Sequence, residues 1–143
     1  MRKWLWTLCF LLVIAPAVFA QTTPTVNGFN VSYGGRSYNA ASDLTTFSYT
    51  VAGTNVPPDL SHFNIEIPSC DPALEVVSFN PSSAVSIGTD PNTGITGIKW
   101  DLPLRMDQTR TYSVSFSGQV DEGNVQVAVK GGPGFEAISL PGP

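Results

Sequence analysis

An all-β fold is what this chain predicts, specifically an immunoglobulin-like antiparallel β-sandwich of about seven to nine short strands. Three observations carry that expectation. Apolar and polar residues alternate at period two over short runs, clusters of Gly, Pro, Asn, Asp and Ser separate the runs, and no stretch after residue 20 has helical period. A small barrel is the alternative way to close the same strands.

Residues 1–20 stand apart from that pattern and read as a secretory signal peptide. Arg2 and Lys3 precede an apolar run from Trp4 to Ile14, and Val18-Phe19-Ala20 places small residues where a signal peptidase reads, so cleavage is expected before Gln21. The run is interrupted by Pro16 and is shorter than the ~20 residues a spanning helix needs, so no stable membrane insertion is expected after cleavage. Cys9 lies inside the run rather than at its end, which disfavours lipid attachment. The expected location is secreted or periplasmic. The remaining 123 residues, 21–143, suit one β-sandwich domain large enough to bury a core without disulfide staples.

Losing Arg2 and Lys3 with the leader leaves five basic residues against 11 acidic ones, a net charge of −6. Arg36, Lys99, Arg105, Arg110 and Lys130 are scattered, so nucleic acid and anionic membrane are poor partners. Of the two cysteines only Cys70 survives processing. An odd cysteine in an oxidising compartment is either a buried inert thiol or half of an intermolecular disulfide. Neighbouring Asp71 raises a thiol pKa rather than lowering it, which argues against an activated nucleophile.

Val26 to Tyr33 predicts a first strand, closed by a turn at Gly34-Gly35. Thr45 to Val51 follows, with Thr45, Phe47, Tyr49 and Val51 on one face and Thr46, Ser48 and Thr50 on the other. Pro57-Pro58 marks a loop. His62 to Ile67 turns Phe63, Ile65 and Ile67 inward and His62, Asn64 and Glu66 outward. Asp71-Pro72 has the chemistry of a helix cap and first turn. Glu75 to Phe79 reads as a strand with Val77 and Phe79 on one side, and Asn80-Pro81-Ser82-Ser83 turns the chain.

The best-signalled hairpin comes next. Asp90 can accept a hydrogen bond from the backbone two residues on, Pro91 presets φ for a type I turn, and Gly94 takes the left-handed return. Val85 and Ile87 before the turn, and Ile98 and Trp100 after it, share one face. Thr111 to Val120 is the longest alternation, and Asp121-Glu122-Gly123-Asn124 connects it to Val125, Val127 and Val129. Gly131-Gly132-Pro133-Gly134 breaks the chain before a last edge strand from Phe135 to Leu140.

Three stretches, Leu60 to Cys70, Ile87 to Asp101 and Arg110 to Gly118, together resemble a small β-sandwich module of secreted and surface-anchored bacterial proteins. The resemblance covers the middle and last thirds of the chain. It implies a sandwich followed by a sorting or membrane-anchoring tail. Leu140-Pro141-Gly142-Pro143 carries no sortase motif, apolar tail or basic stop, so free secretion is expected instead.

Candidate chemistry is sparse. A serine triad needs a histidine base, and the single histidine, His62, falls on an outward face with no G-x-S-x-G elbow in the chain. A Cys70/His62 dyad has the right residue types and lacks a cationic partner. Zinc fails on ligand count. Asp90-Pro91-Asn92-Thr93-Gly94 opens with the cadence of a calcium loop but lacks the later bidentate Glu, and the turn explains the same residues. The acidic tips at Asp90 and at Asp121-Glu122 would share a site if they met at one end of the sandwich.

For sugar stacking, Trp100, Tyr49 and Tyr112 fall on core-facing positions, which leaves Tyr38, in a loop with Arg36, as the aromatic expected at the surface. No catalytic residue, cofactor or metal site is expected. The candidate ligand-binding residues are Tyr38, Arg36, Asp90 and Asn92, with Cys70 for an intermolecular bridge. The expected function is a non-enzymatic structural, adhesive or protein-interaction module. Its partner would be an extracellular or envelope protein or a glycan, with homo-oligomers through sheet edges, and a calcium-assisted carbohydrate-binding module is the alternative.

Overall fold

The computed structural model describes residues 23–69 and 73–143. Cys70, the Asp71-Pro72 cap and the leader lie outside the described residues. Ten strands follow one another: β1 (Thr25–Val26), β2 (Phe29–Asn39), β3 (Leu44–Gly53), β4 (Leu60–Glu66), β5 (Val76–Asn80), β6 (Val85–Thr89), β7 (Thr96–Trp100), β8 (Thr109–Ser117), β9 (Gly123–Gly131) and β10 (Gly134–Gly142). They form two five-stranded sheets, ordered β1-β2-β3-β8-β5 and β10-β9-β4-β7-β6, and every pairing is antiparallel. This is the all-β two-sheet sandwich the alternation predicts, with ten strands rather than seven to nine.

The extra strand comes from Asn27-Gly28. Instead of one run from Val26 to Tyr33, the chain reverses there, with Asn27 at φ 47° and Gly28 at φ 81°, and Val26 pairs with Phe29. Two consecutive left-handed residues make the two-residue turn that matches strand twist, and Asn-Gly is its preferred sequence. Gly34-Gly35, read as a turn, is instead a β-bulge: the pairing of β2 with β3 slips between Tyr33 and Gly35, Gly35 takes φ 111°, and the strand continues to Asn39.

The core is the aligned inner faces of the two sheets. Phe47, Tyr49 and Val51 of β3 and Tyr112, Val114 and Phe116 of β8 meet Phe63 and Ile65 of β4, Ile98 and Trp100 of β7, and Val125, Val127 and Val129 of β9, all buried. Phe63 is the hub, its ring 4.7 Å from Tyr112, 6.1 Å from Trp100 and 6.3 Å from Tyr49 between centroids. Each such aromatic pair contributes about 0.5–1.5 kcal/mol beyond the area it buries. The buried Trp100 indole donates to Pro81 O at 2.9 Å, and the Tyr49 hydroxyl donates to Pro141 O at 2.9 Å.

On β5 the inward pair is Val76 and Phe79, not Val77 and Phe79. A bulge between Val76 and Ser78 shifts the face by one residue and leaves Val77 half exposed. Four strands border the sandwich: β1 and β5 on the first sheet, β10 and β6 on the second.

Candidate functional site

The hairpin of β6 and β7 builds the most polar buried cluster in the described residues. Its tip, Asp90 to Ile95, is closed by Asp90 N donating to Ile95 O (2.9 Å) and Gly94 N to Asp90 O (2.8 Å). The Asp90 carboxylate then accepts from the backbone N–H and the side-chain amide of Asn92 at Oδ1, both 3.3 Å, and from the Thr93 hydroxyl at Oδ2, 2.9 Å. The expected Asp90 turn is therefore present. What the sequence left open is where that turn goes.

Register answers it. Phe63 pairs with Trp100 and Glu66 with Gly97, so Thr96, where the tip begins, lies level with Ile67, whose N–H donates to Thr96 O. His62 is five residues back along β4, roughly 16 Å at strand rise. Yet His62 Nε2 is 2.9 Å from Asp90 Oδ2. The tip must fold back across the outer face of the second sheet to reach it. Gly88 and Gly97 form the cross-strand pair one step before the tip. A Cβ on Gly97 would lie 2.0 Å from Ile65 O and 2.7 Å from Ile67 N, so only glycine lets the hairpin seat against β4 there.

This corrects the expected exposure of His62. It does lie on the outer face of β4, but the returning tip covers it to 4 % exposure, and Asp90 to 3 %. Asn64, on the same face and also expected to point outward, is buried as well, with its Oδ1 lacking a hydrogen-bond partner. Lys99, paired with Asn64 across the strands, reaches Asp90 Oδ1 at 3.6 Å and the largely exposed Asp101 Oδ2 at 3.3 Å.

The charges follow from these contacts. Burial alone raises the pKa of Asp90, but hydrogen bonds from the Thr93 hydroxyl and the Asn92 N–H, with His62 beside them, outweigh it and hold the carboxyl at about 2. For His62 burial is the largest influence and lowers its pKa; Lys99 adds to the lowering, while Asp90 and Asp101 oppose it. A neutral His62 facing an ionised Asp90 must carry its proton on Nε2 and donate it. Nδ1 is then the unprotonated nitrogen, 3.8 Å from Asp101 Oδ1.

An Asp–His pair is also the orienting half of a catalytic relay. The Thr93 hydroxyl is committed to Asp90, and the free nitrogen of His62 meets a carboxylate rather than a nucleophile. The Asp90 oxygens meet Thr93, Asn92, His62 and Lys99, which ties the turn together and latches it to β4. Among the described residues no group of three or more His, Cys, Asp and Glu side chains is placed to hold a metal ion. The second acidic tip has a separate attachment, Glu122 accepting from the Tyr33 hydroxyl at 2.6 Å.

Asp90 and Asn92 thus come together in one tip, while Arg36 and Tyr38 sit on the other sheet. Tyr38 belongs to the end of β2 rather than to a loop, because the Gly34 bulge lets the strand run on. It is 39 % exposed, and its hydroxyl donates to Asp43 Oδ1 at 2.8 Å. Arg36 is half-buried and ties β2 to the loop before β9, its Nε donating to Val120 O.

Beside the latch lies a cleft of about 160 Å³ lined by Ser86, Ile87, Gly88, Thr89, Asp90, Pro91 and Lys99. Strand β6 forms its wall, and its position at the border of the sheet is the feature that sequence reading left open. Val85 and Ile87 do share the face of their partners Trp100 and Ile98, as the alternation predicts. At the rim of the sandwich none of the described residues covers that face, and Ile87 is 59 % exposed. Natural edge strands carry charge, proline, a bulge or a cover that discourages further pairing. β5 has a bulge, β1 has two residues, and β10 carries Glu136 and Pro141. Val85-Ser86-Ile87-Gly88-Thr89 has none of these, and its pairing with β7 is unbroken. No helix among the described residues is long and apolar enough to cross a membrane. Compared with protein families and with curated proteins, the chain matches no family model and no curated sequence.

Proposed function

We propose that this chain is an exported, non-enzymatic contact module of the cell exterior or periplasm, an adhesive or protein-interaction β-sandwich that offers strand β6 as its binding edge. The observation that carries this reading is the uncharged, unbulged edge with Ile87 59 % exposed. A bare edge gives an incoming strand its main-chain hydrogen bonds, and the neighbouring cleft gives alternate side chains a place to go. Export rests on the leader-like residues 1–20. The non-enzymatic part rests on the only histidine being occupied by Asp90 in a latch.

Beads coated with the processed chain and offered to the cells that export it test the reading. The wild type is expected to bind and Ile87→Lys to lose most of that binding, with both unfolding at the same temperature; equal binding would overturn it. A carbohydrate is the second reading, favoured by the hydroxyls and charges of Ser86, Thr89, Asp90 and Lys99 gathered in the cleft. Glycan-array binding that falls with Thr89→Ala and survives Ile87→Lys would select it over strand addition.

A further inference from the structure

We propose that the strand added at β6 is the β6 of a second copy of this chain, paired antiparallel about a two-fold axis at Ile87. This rests on reading β6 as the contact edge. The register makes the strand complementary to itself. An axis at Ile87 sets that residue against its own copy, Val85 against Thr89, and Ser86 against Gly88.

Val85 and Ile87 lie on the side of Trp100 and Ile98, so the two exposed isoleucines meet on the apolar face. On the opposite side, which carries Lys99, only Ser86 and Gly88 meet. A Cβ built at Gly88 touches nothing within 4 Å, so there is room for the other copy's Ser86 hydroxyl, next to the cleft that Thr89 and Lys99 line. Small residues stand opposite small ones and β-branched residues opposite β-branched ones, cross-strand pairs that stabilise a sheet.

Charge selects the same strip. Residues 21–143 carry a net −6, so two copies repel each other at long range. From Ala84 to Thr89 there is no ionisable residue. The nearest acid, Asp90, is buried, with Lys99 3.6 Å away. Folding the tip back onto β4 buries the carboxylate next in sequence to the strand. A pair of five-residue strands buries less than the ~800 Å² per partner of a standard stable interface, so the dimer forms reversibly and gains strength where many copies are displayed together.

Sedimentation of the processed chain carrying Cys70→Ser, over a wide concentration range, tests this without interference from a Cys70 bridge. The mean mass is expected to rise from monomer toward dimer. Ile87→Lys, which sets two like charges against each other at the axis, is expected to move the midpoint at least tenfold higher in concentration. In the same background, Ile87→Cys should give a disulfide-linked dimer on oxidation, and Val77→Cys on the neighbouring edge should not. A chain that stays monomeric throughout, or a dimer indifferent to Ile87→Lys, overturns the proposal. If the monomeric chain still loses cell binding with Ile87→Lys, self-pairing is wrong while the contact reading stands; if a dimer forms at β6 and cell binding ignores Ile87→Lys, the contact reading is the one that falls.

Discussion

Strands β6 and β10 border the same sheet and are finished in opposite ways. β10 runs nine residues and is fastened near both ends. Its Glu136 carboxylate accepts from Asn27 N, and the Asn27 amide spans the carbonyls of Val129, Gly131 and Gly134 at 3.3–3.4 Å. Its far end packs so tightly that a Cβ on Gly142 would lie 2.4 Å from Val125 and 2.7 Å from the Tyr49 hydroxyl. β6 has five residues, no charge, and β7 as its one hydrogen-bonded neighbour among the described residues. Its polar contacts are gathered in the tip, where Asp90, His62 and Lys99 pull the turn away from the open backbone. One edge uses its side chains to close itself, and the other uses them to stay clear.

The largest way to break that contrast is Gly97→Ala. The new methyl group would meet the backbone of Ile65 and Ile67, not the movable end of a side chain, so the hairpin has to lift from β4. The expected loss is about 3 kcal/mol or more, with β6 losing its place in the sheet and the bead binding lost with it. Gly123→Ala, where a Cβ meets nothing within 4 Å, is the control on the other side of the sheet and should stay within about 0.5 kcal/mol. Urea unfolding reads both. Equal effects would mean that the close approach at Gly97 does not set the hairpin's seat.

Next in size is the latch. Asp90→Ala leaves His62 buried without an acceptor and Lys99 without one of its carboxylates, an expected cost of about 2–3 kcal/mol. Acid should reproduce part of this. His62 has a lowered pKa in the fold, so the unfolded chain binds its proton first and stability falls as pH drops below the ordinary histidine value of 6.5. Asp90 is held at about 2 against an ordinary 3.8, so its contribution is present above 3.8 and is lost between there and about 2. The melting temperature is expected to fall in both windows, and His62→Gln should remove the upper decline alone. An unchanged upper decline would assign it to another group.

How far the sequence carries depends on which face of a strand is asked about. Inner faces are legible because a side chain's period is local: Phe47, Tyr49 and Val51, or Val125, Val127 and Val129, needed only alternation to be placed in the core. The faces slip where one extra residue is inserted. Val77 was placed inward and stands half exposed because the bulge at β5 resets the count. Gly34-Gly35 has the chemistry of a turn, and only the pairing of β2 with β3 on both sides makes it a bulge. Asn27-Gly28 has the sequence of a two-residue hairpin turn, but Val26, Phe29, Val31 and Tyr33 around it have the look of one continuous strand.

His62 is the clearest limit. Alternation put it on the outer face of β4, where it is, but its burial depends on a hairpin tip 28 positions later folding over it. The Asp90 turn was readable from five residues, whereas where that turn goes shows only in its contact with His62, between strands that no local pattern brings together. The open edge was hidden for the same reason. Nothing in Val85 to Thr89 says whether a further strand lies beside it.

Asn27→Ala, the smallest effect of the three, sharpens the comparison by unfastening β10. Asn27 sits at φ 47°, where alanine costs about 1 kcal/mol or a little more, and its three amide contacts are long and individually weak. A total of about 1–2 kcal/mol is expected. Asn27→Gly keeps the backbone conformation and removes only the amide, so the gap between the two variants separates strain from hydrogen bonding. Hydrogen exchange should quicken in β10 around Gly134 in both, while the amides of β6, already open on one side, keep their rates. Should β6 quicken equally, the two borders would be one cooperative unit and its bareness would reflect the looseness of the whole sheet. Should β10 alone respond, and the loosened chain begin to associate through it, then Asn27 and Glu136 are what keep that border from acting as a second binding edge.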